Sequence, residues 1–380
     1  MTKIYLIRHG EAEGNIYRRA HGHYDGRITA KGLRQIDALA ERFRDVPVDA
    51  LYSSDLRRTM ATAGAITKYH PLEIIPEPRL REVNMGSWED IPWGNLTHDY
   101  PEQMHAFNDD PARWNVPGGE SFAALRERMR TVLREIAAKN EGKTVVCVTH
   151  GVAIRAHLSD VLGVPSEEIY RVPHGDNTHV SLLGLDGDSE RVVFYNDASH
   201  LTEELSTFSR QSWWKEAAKS DSNNLRFEPL DPNLEPELYT GIYRKTWLAV
   251  HGTERGFSPG PYLESARYHH SLLPDAILKA IKDGTVIGLT ELDPARGKSE
   301  GYGWISLCFV EGDERRRLLG VQLLGHAVST FRRLGRKSIR LHVFEGNSGA
   351  IAFYREYGFR EIGRACGALG QLLLMEKDIS

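Results

Sequence analysis

Two stretches of the chain read as strands covered on both faces: Ile4 to Ile7, and Thr144 to Thr149 (TVVCVT), where apolar residues run almost without interruption. Each is soon followed by His-Gly, at His9-Gly10 and His150-Gly151. Between them, Ala30 to Phe43 and Glu120 to Ala138 carry apolar residues at helical spacing, the second behind the turn Pro117-Gly118-Gly119. Strands alternating with helices predict an α/β fold, a three-layer α/β/α domain with a mostly parallel sheet. The segment from Glu203 ends in the polar run Lys219 to Asn224, which buries poorly and reads as a linker. Domain limits follow: 1–205, a linker over 206–224, and 225–380. Trp213 and Trp214 are expected to anchor the connection by packing. Beyond it, Val286 to Leu292 and Gly303 to Val310 read as strands, Leu318 to Leu334 as a helix, Ser338 to Phe344 as a strand and Ser348 to Tyr357 as a helix.

Composition narrows the function classes. At 380 residues, with 41% hydrophobic and 26% charged positions, the chain can bury proper cores in two or three domains. A formal charge of -4 gives no global basic field for nucleic acid or an anionic membrane. Three cysteines (Cys147, Cys308, Cys366) without a C-x-x-C pair exclude a disulfide framework and a cysteine zinc site. No apolar run is long enough to span a bilayer, and the start breaks into Arg8 and His9 after a few apolar residues, so a cytoplasmic location is expected.

Ligands of open α/β sheets sit beyond the carboxyl ends of the strands, so His9 and His150 are expected to face one pocket. Arg8 adjoins the first histidine. Arg58 lies in SSDLRRTMATA, where Ser54 or Asp55 is expected to cap a helix. Two guanidinium forks and two imidazoles suit a dianionic phosphate. A neutral imidazole can also accept the phosphoryl group, giving a phosphohistidine that water hydrolyses. The departing alkoxide needs a proton, for which Glu82 is the candidate general acid. His21 and His23 have metal-like spacing without evident partners and are expected at the rim or surface; no metal site is expected.

The order Leu6-Ile7-Arg8-His9-Gly10-Glu11 with Asn15, Ser53 to Arg58 with Thr62-Ala63, Glu82 before Gly86-Ser87-Trp88-Glu89, Pro117 to Ser121, and Thr149-His150-Gly151 resembles the histidine phosphatase (phosphoglycerate mutase-like) superfamily. The resemblance implies His9 as the phosphorylated nucleophile, Arg8, Arg58 and His150 holding the phosphoryl group, Glu82 as proton donor, Asn15 contacting the phosphate, and no cofactor. Within the superfamily it resembles, the short stretch from Glu82 to His150 and the motif E-x-x-x-G-x-W-E look like those of phosphatases, which implies hydrolysis of a small phosphomonoester; mutase-type transfer is the alternative.

In the second half, Val310 is followed by a basic loop and an amphipathic helix. A helix N-terminus with nearby arginines suits a pyrophosphate. This part resembles the GNAT acyltransferase superfamily, whose Arg-x-x-Gly-x-Gly motif is matched at Arg315 and Gly320 while Leu318 stands at the middle glycine; Val343 to Phe359 resembles the family's strand, Asn, helix and aromatic ending. The resemblance implies a GNAT-like α+β domain that binds acetyl-CoA through the backbone at Phe309 and Val310 and the loop Arg315, Arg316, Arg317, Leu318, Leu319, Gly320. It further implies Asn347 on the cofactor arm, Tyr354 protonating the thiolate, and an amine acceptor. Glu291 and Glu311 are candidate bases, each more ordinarily a solvated carboxylate. A non-catalytic acyl-CoA sensor regulating the phosphatase is the competing reading.

Overall fold

The computed structural model describes residues 1–187, 189–211, 223–314 and 319–380. Trp213, Trp214, most of the expected linker, and Arg315, Arg316, Arg317 and Leu318 lie outside the described residues. The chain divides into two compact units, one of Met1–Ile91 and Leu96–Asp221, the other of Pro92–Asn95 and Ser222–Ser380.

In the first unit, β1 (Thr2–Arg8), β2 (Ala50–Ser53), β3 (Ile74–Pro76), β4 (Thr144–Thr149), β5 (Val180–Asp186) and β6 (Ser189–Asp197) form one sheet in the order β3-β2-β4-β1-β5-β6. The first four are mutually parallel; β5 and β6 extend the sheet antiparallel. Alternation along the strands divides the core. On one face Ile7, Leu51, Val146 and Val148 pack with Ile36, Leu39 and Phe43 of the helix Ala30–Phe43 and with Ala63 and Ile66 of the helix Arg57–Thr67. Ile4, Leu6, Val145 and Cys147, all fully buried, point to the other face, where the helices Phe122–Lys139 and Gly151–Val161 lie against β1. Thr29 and Ser121 start the helices Ala30–Phe43 and Phe122–Lys139 by accepting from Gly32 N and Ala124 N. The register sets Arg8 opposite Thr149, so β1 and β4 end side by side. Residues Leu205 to Gln211, partly within the expected linker, are hydrogen-bonded into this unit.

The second unit holds β7 (Arg226–Pro229), β8 (Ile277–Lys282), β9 (Thr285–Asp293), β10 (Tyr302–Val310), β11 (Ser338–Phe344), β12 (Arg360–Gly367) and β13 (Gly370–Asp378), in the order β12-β13-β11-β10-β9-β8-β7. Among the described residues the one parallel pairing of this sheet is β10 with β11. It runs from Tyr302↔Ser338 to Ile305↔Leu341 and ends there, although both strands continue; at the same point the register of β10 on β9 slips between Ile305 and Leu307. The two strands therefore part towards their carboxyl ends. The helix expected from Leu318 starts at Gly320 and runs to Arg333, with Leu319 at its N-cap. The helices Pro236–His251 and Pro259–Leu272 each begin with proline at a position where its missing N–H is not needed.

Candidate active site

His9 follows β1, and its backbone N–H donates to Thr149 O (3.0 Å) across the strand ends. Its Nδ1 lies 2.7 Å from Gly10 O. A carbonyl only accepts, so Nδ1 carries the proton and Nε2 keeps its lone pair. Burial, then Arg58 and Arg8, hold His9 well below the usual imidazole range, so the ring is neutral at pH 7. His150 stands 5.2 Å from it, centroid to centroid, and carries the opposite tautomer. The Arg58 guanidinium donates through Nε to His150 Nδ1 (3.3 Å), leaving Nε2 protonated and donating to Ser54 Oγ (2.9 Å). Burial, Arg58 and His9 depress His150 as well. One pocket thus holds a neutral imidazole with a free lone pair and another presenting an N–H.

Arg58, 1% exposed, spends its fork on a loop. Nη1 donates to Tyr24 O (2.7 Å) and Nη2 to Gly22 O (2.6 Å). That loop is set by Glu89, whose carboxylate accepts from Gly22 N (3.1 Å), His23 N (2.6 Å), Tyr24 N (2.8 Å) and Met85 N (3.0 Å). Gly22 is required, because a Cβ there would sit 2.2 Å from Val83 O. Burial lowers Arg58 to about 10, so it stays charged at neutral pH. Arg8 donates to Gly175 O (2.7 Å), and its Nε is buried with no partner among the described residues. Thr62 ties the elements together, accepting from Gly10 N (3.0 Å) and donating to Arg58 O (2.7 Å).

Glu82 is buried, and its carboxyl accepts from Val83 N (3.0 Å), Val152 N (2.9 Å) and Ala153 N (2.8 Å), which places it at the start of the helix that follows His150. Asn15 turns its oxygen to Ala12 N (2.9 Å); Asn177, which donates to His9 O (3.0 Å), reaches the same oxygen at 3.5 Å. Two expectations change. Ser54 and Asp55 do not cap the helix Arg57–Thr67: Ser54 serves His150 and Asp55 holds Arg81 (2.6 Å). His21 is not a surface residue; its side chain is 7% exposed, against Tyr24 and 3.3 Å from Asp90. The sequence reading missed Ser54, Asp176 and Asn177 as site residues, and Glu89 as the anchor of the Arg58 loop. Glu89 and Ser54 carried a signal, as the last residue of the E-x-x-x-G-x-W-E motif and as part of the stretch Ser53 to Arg58; Asp176 and Asn177 carried none.

In the second unit Tyr354 is 9% exposed, and burial, followed by Cys308 on the diverging part of β10, pushes its phenol well up. Burial raises the Cys308 thiol to about 12. Asn347 accepts from Ala350 N (3.1 Å) as the N-cap of the helix Ser348–Glu356. Gly320 opens its helix where a Cβ would press on Phe353 at 3.3 Å, and Leu319 is buried. Phe309 lies on the diverging part of β10 and Val310 ends that strand. Glu311 pairs with Lys245 (2.6 Å). Glu291 is not solvated: 1% exposed, it accepts from Tyr239 Oη (2.8 Å) and pairs with His269 Nδ1 (2.8 Å), whose Nε2 is 3.3 Å from Asp293. No group of three or more His, Cys, Asp or Glu among the described residues is arranged to hold a metal ion. Among the same residues, no helix is long and apolar enough to cross a membrane.

Comparison with known proteins divides the chain likewise. The family model of the histidine phosphatase superfamily (branch 1) matches residues 4–198, and that of the acetyltransferase (GNAT) family matches residues 239–359. A probable phosphoglycerate mutase GpmB of Proteus mirabilis is 37% identical over 166 residues, 44% of this chain and 77% of that protein. Phosphoserine phosphatase 1 of Hydrogenobacter thermophilus is 31% identical over 203 residues, 53% of this chain and 96% of that protein. The solved structure of Bacillus stearothermophilus YhfR superposes with a TM-score of 0.51 at 30% identity, covering 53% of this chain and 99% of that one.

Proposed function

We propose, from the premise that this chain belongs to the histidine phosphatase superfamily (branch 1), that its first half hydrolyses a small phosphomonoester through a phosphohistidine. The observation that carries this reading is the pair of opposite tautomers. The His9 Nε2 lone pair attacks phosphorus, the P–O ester bond breaks, and the leaving oxygen takes its electron pair and a proton from the Glu82 carboxyl. Water then attacks the phosphohistidine, passes a proton back to Glu82, and the P–N bond breaks to return the lone pair to Nε2 with release of phosphate. Arg8, through its unmet Nε–H, and Arg58 balance the phosphoryl charge, and the Nε2–H of His150 moves from Ser54 to a phosphoryl oxygen. Asn15 and Asn177 border the same oxygens. In the mutase-type alternative, which draws on the printed name of the Proteus mirabilis relative, the phosphohistidine returns its group to substrate instead of water.

For the second half the same reading gives transfer of acetyl from acetyl-CoA to an amine, supported by the match to the GNAT family and by the opening between β10 and β11. Tyr354, beside Cys308 on the diverging strand, is the proton donor to the departing thiolate. The backbone at Phe309, Val310, Leu319 and Gly320, and Asn347, border the cofactor. Arg315, Arg316, Arg317 and Leu318 belong to the same proposed loop.

The test is to react the protein with a phosphomonoester, quench it in base and locate the phosphoryl group by mass spectrometry. Label on His9, with neither label nor turnover in His9→Ala, is the expected result. Turnover retained in that variant overturns the covalent mechanism.

A further inference from the structure

Residues Leu205 to Thr207 lie beyond the segment matched by the phosphatase family and are bonded to both loops that frame His9. On one side Thr207, 2% exposed, donates from Oγ1 to Glu11 Oε2 (3.0 Å), two residues past the nucleophile, and accepts from Gln35 Nε2 (3.0 Å). Gln35 in turn accepts from Glu11 N (2.7 Å) and donates to Leu205 O (2.7 Å). On the other side Asp176, 8% exposed, accepts from Ser206 Oγ (2.6 Å), Thr207 N (3.2 Å) and Asn177 N (2.7 Å). Its chain neighbours hold the reacting groups: Gly175 O accepts from Arg8 Nη1, and Asn177 Nδ2 donates to His9 O.

We propose that Ser206 and Thr207 are positioning residues of the phosphate site, keeping the Asp176 carboxylate turned away from Arg8 so that the guanidinium is left for the phosphoryl group. Asp176 stands in the chain between Gly175, which accepts from Arg8, and Asn177, which donates to His9 O, so a buried carboxylate is carried on the loop that holds the cation the substrate needs. A carboxylate that loses its hydroxyl donor seeks another, and a guanidinium is the strongest available. With Ser206 Oγ removed, Asp176 competes with the incoming dianion for Arg8. The unmet Arg8 Nε–H is the group in contention.

The inference rests on the phosphatase reading, and the measurement separates the two. In the full-length protein, Ser206→Ala is expected to weaken inhibition by orthovanadate about tenfold, the scale of one charge-assisted hydrogen bond, with its melting temperature near wild type. Ser206→Thr keeps the hydroxyl and restores inhibition. In an Asp176→Asn background no charge is left to compete, so adding Ser206→Ala changes vanadate inhibition less than threefold, a coupling that loss of fold does not produce. Unchanged inhibition in Ser206→Ala, or the same tenfold loss in both backgrounds, overturns the proposal. Binding is also read as the shift in melting temperature with inorganic phosphate. A wild type that binds phosphate but hydrolyses no phosphomonoester sinks the phosphatase reading instead.

Discussion

Replacing Glu82 by glutamine converts one acceptor oxygen into a donor where both oxygens already accept. The amide oxygen can keep the two N–H groups on Oε1, from Val83 and Ala153, but the NH2 group then meets the Val152 N–H that Oε2 now accepts. One buried donor is left unmet, which costs about 1–3 kcal/mol of stability. The first unit should stay folded at room temperature, because such domains have about 5–15 kcal/mol to lose. Turnover should suffer more, and selectively. An alkoxide leaving phosphorus develops charge that must be neutralised, whereas a nitrophenolate departs without a proton. The variant should therefore lose roughly two to four orders of magnitude in kcat/KM on alkyl phosphates and much less on nitrophenyl phosphate. The assay is steady-state kinetics on both substrates at one pH, with thermal melting to confirm the fold. Equal losses on the two would refute the reasoning: Glu82 would then act by positioning the start of the helix Gly151–Val161, and the proton would come from elsewhere.

Two further outcomes concern the second unit. Acetyl-CoA should raise the melting temperature of the full-length protein, by an amount equivalent to about 2.7 kcal/mol at a hundredfold excess over Kd, and pantetheine should do so less; no shift at millimolar acetyl-CoA rejects the acyl-CoA reading. For His269, burial alone lowers the imidazole, but hydrogen bonds to Asp293 and Glu291 raise it to about 9. A raised folded-state value contributes stability that is fully present below the unfolded value near 6.5 and is lost as pH rises through 9. Urea midpoints of the wild type should therefore fall between pH 6 and pH 9.5 while those of His269→Gln change little, and parallel midpoints would show that His269 is not charged as described.

The parts of the site that were legible in the sequence are those governed by strand ends. An apolar run followed by Arg-His-Gly, another followed by His-Gly, and the rule that parallel strands finish together suffice to bring His9 and His150 into one pocket. Groups held by distant partners were not. A serine before a helix reads as a cap, and that Ser54 instead bonds His150 depends on a residue 96 positions away. Glu291 looks like a solvated strand-end carboxylate until Tyr239 and His269 arrive from the helices Pro236–His251 and Pro259–Leu272. His21 reads as a rim or surface residue, yet Asp90, 69 positions away, lies 3.3 Å from its ring and its side chain is 7% exposed. β5 was overlooked although six of its seven residues are buried, because periodicity alone does not separate a short apolar strand from a helix segment.

The bonds from Leu205, Ser206 and Thr207 to the loops around His9 also bear on how the protein is made. Chains leave the ribosome from the N-terminus, and domains fold as they emerge. β1 to β6 can assemble once Asp197 is clear of the exit tunnel, but Glu11, Gln35 and Asp176 gain these last partners only when residues 205–207 follow. The loops around His9 therefore gain these partners while the second unit is still being translated. A nascent chain stalled shortly after β6 would hold the strands of the sheet but not the bonds by which residues 205–207 brace the loops around His9.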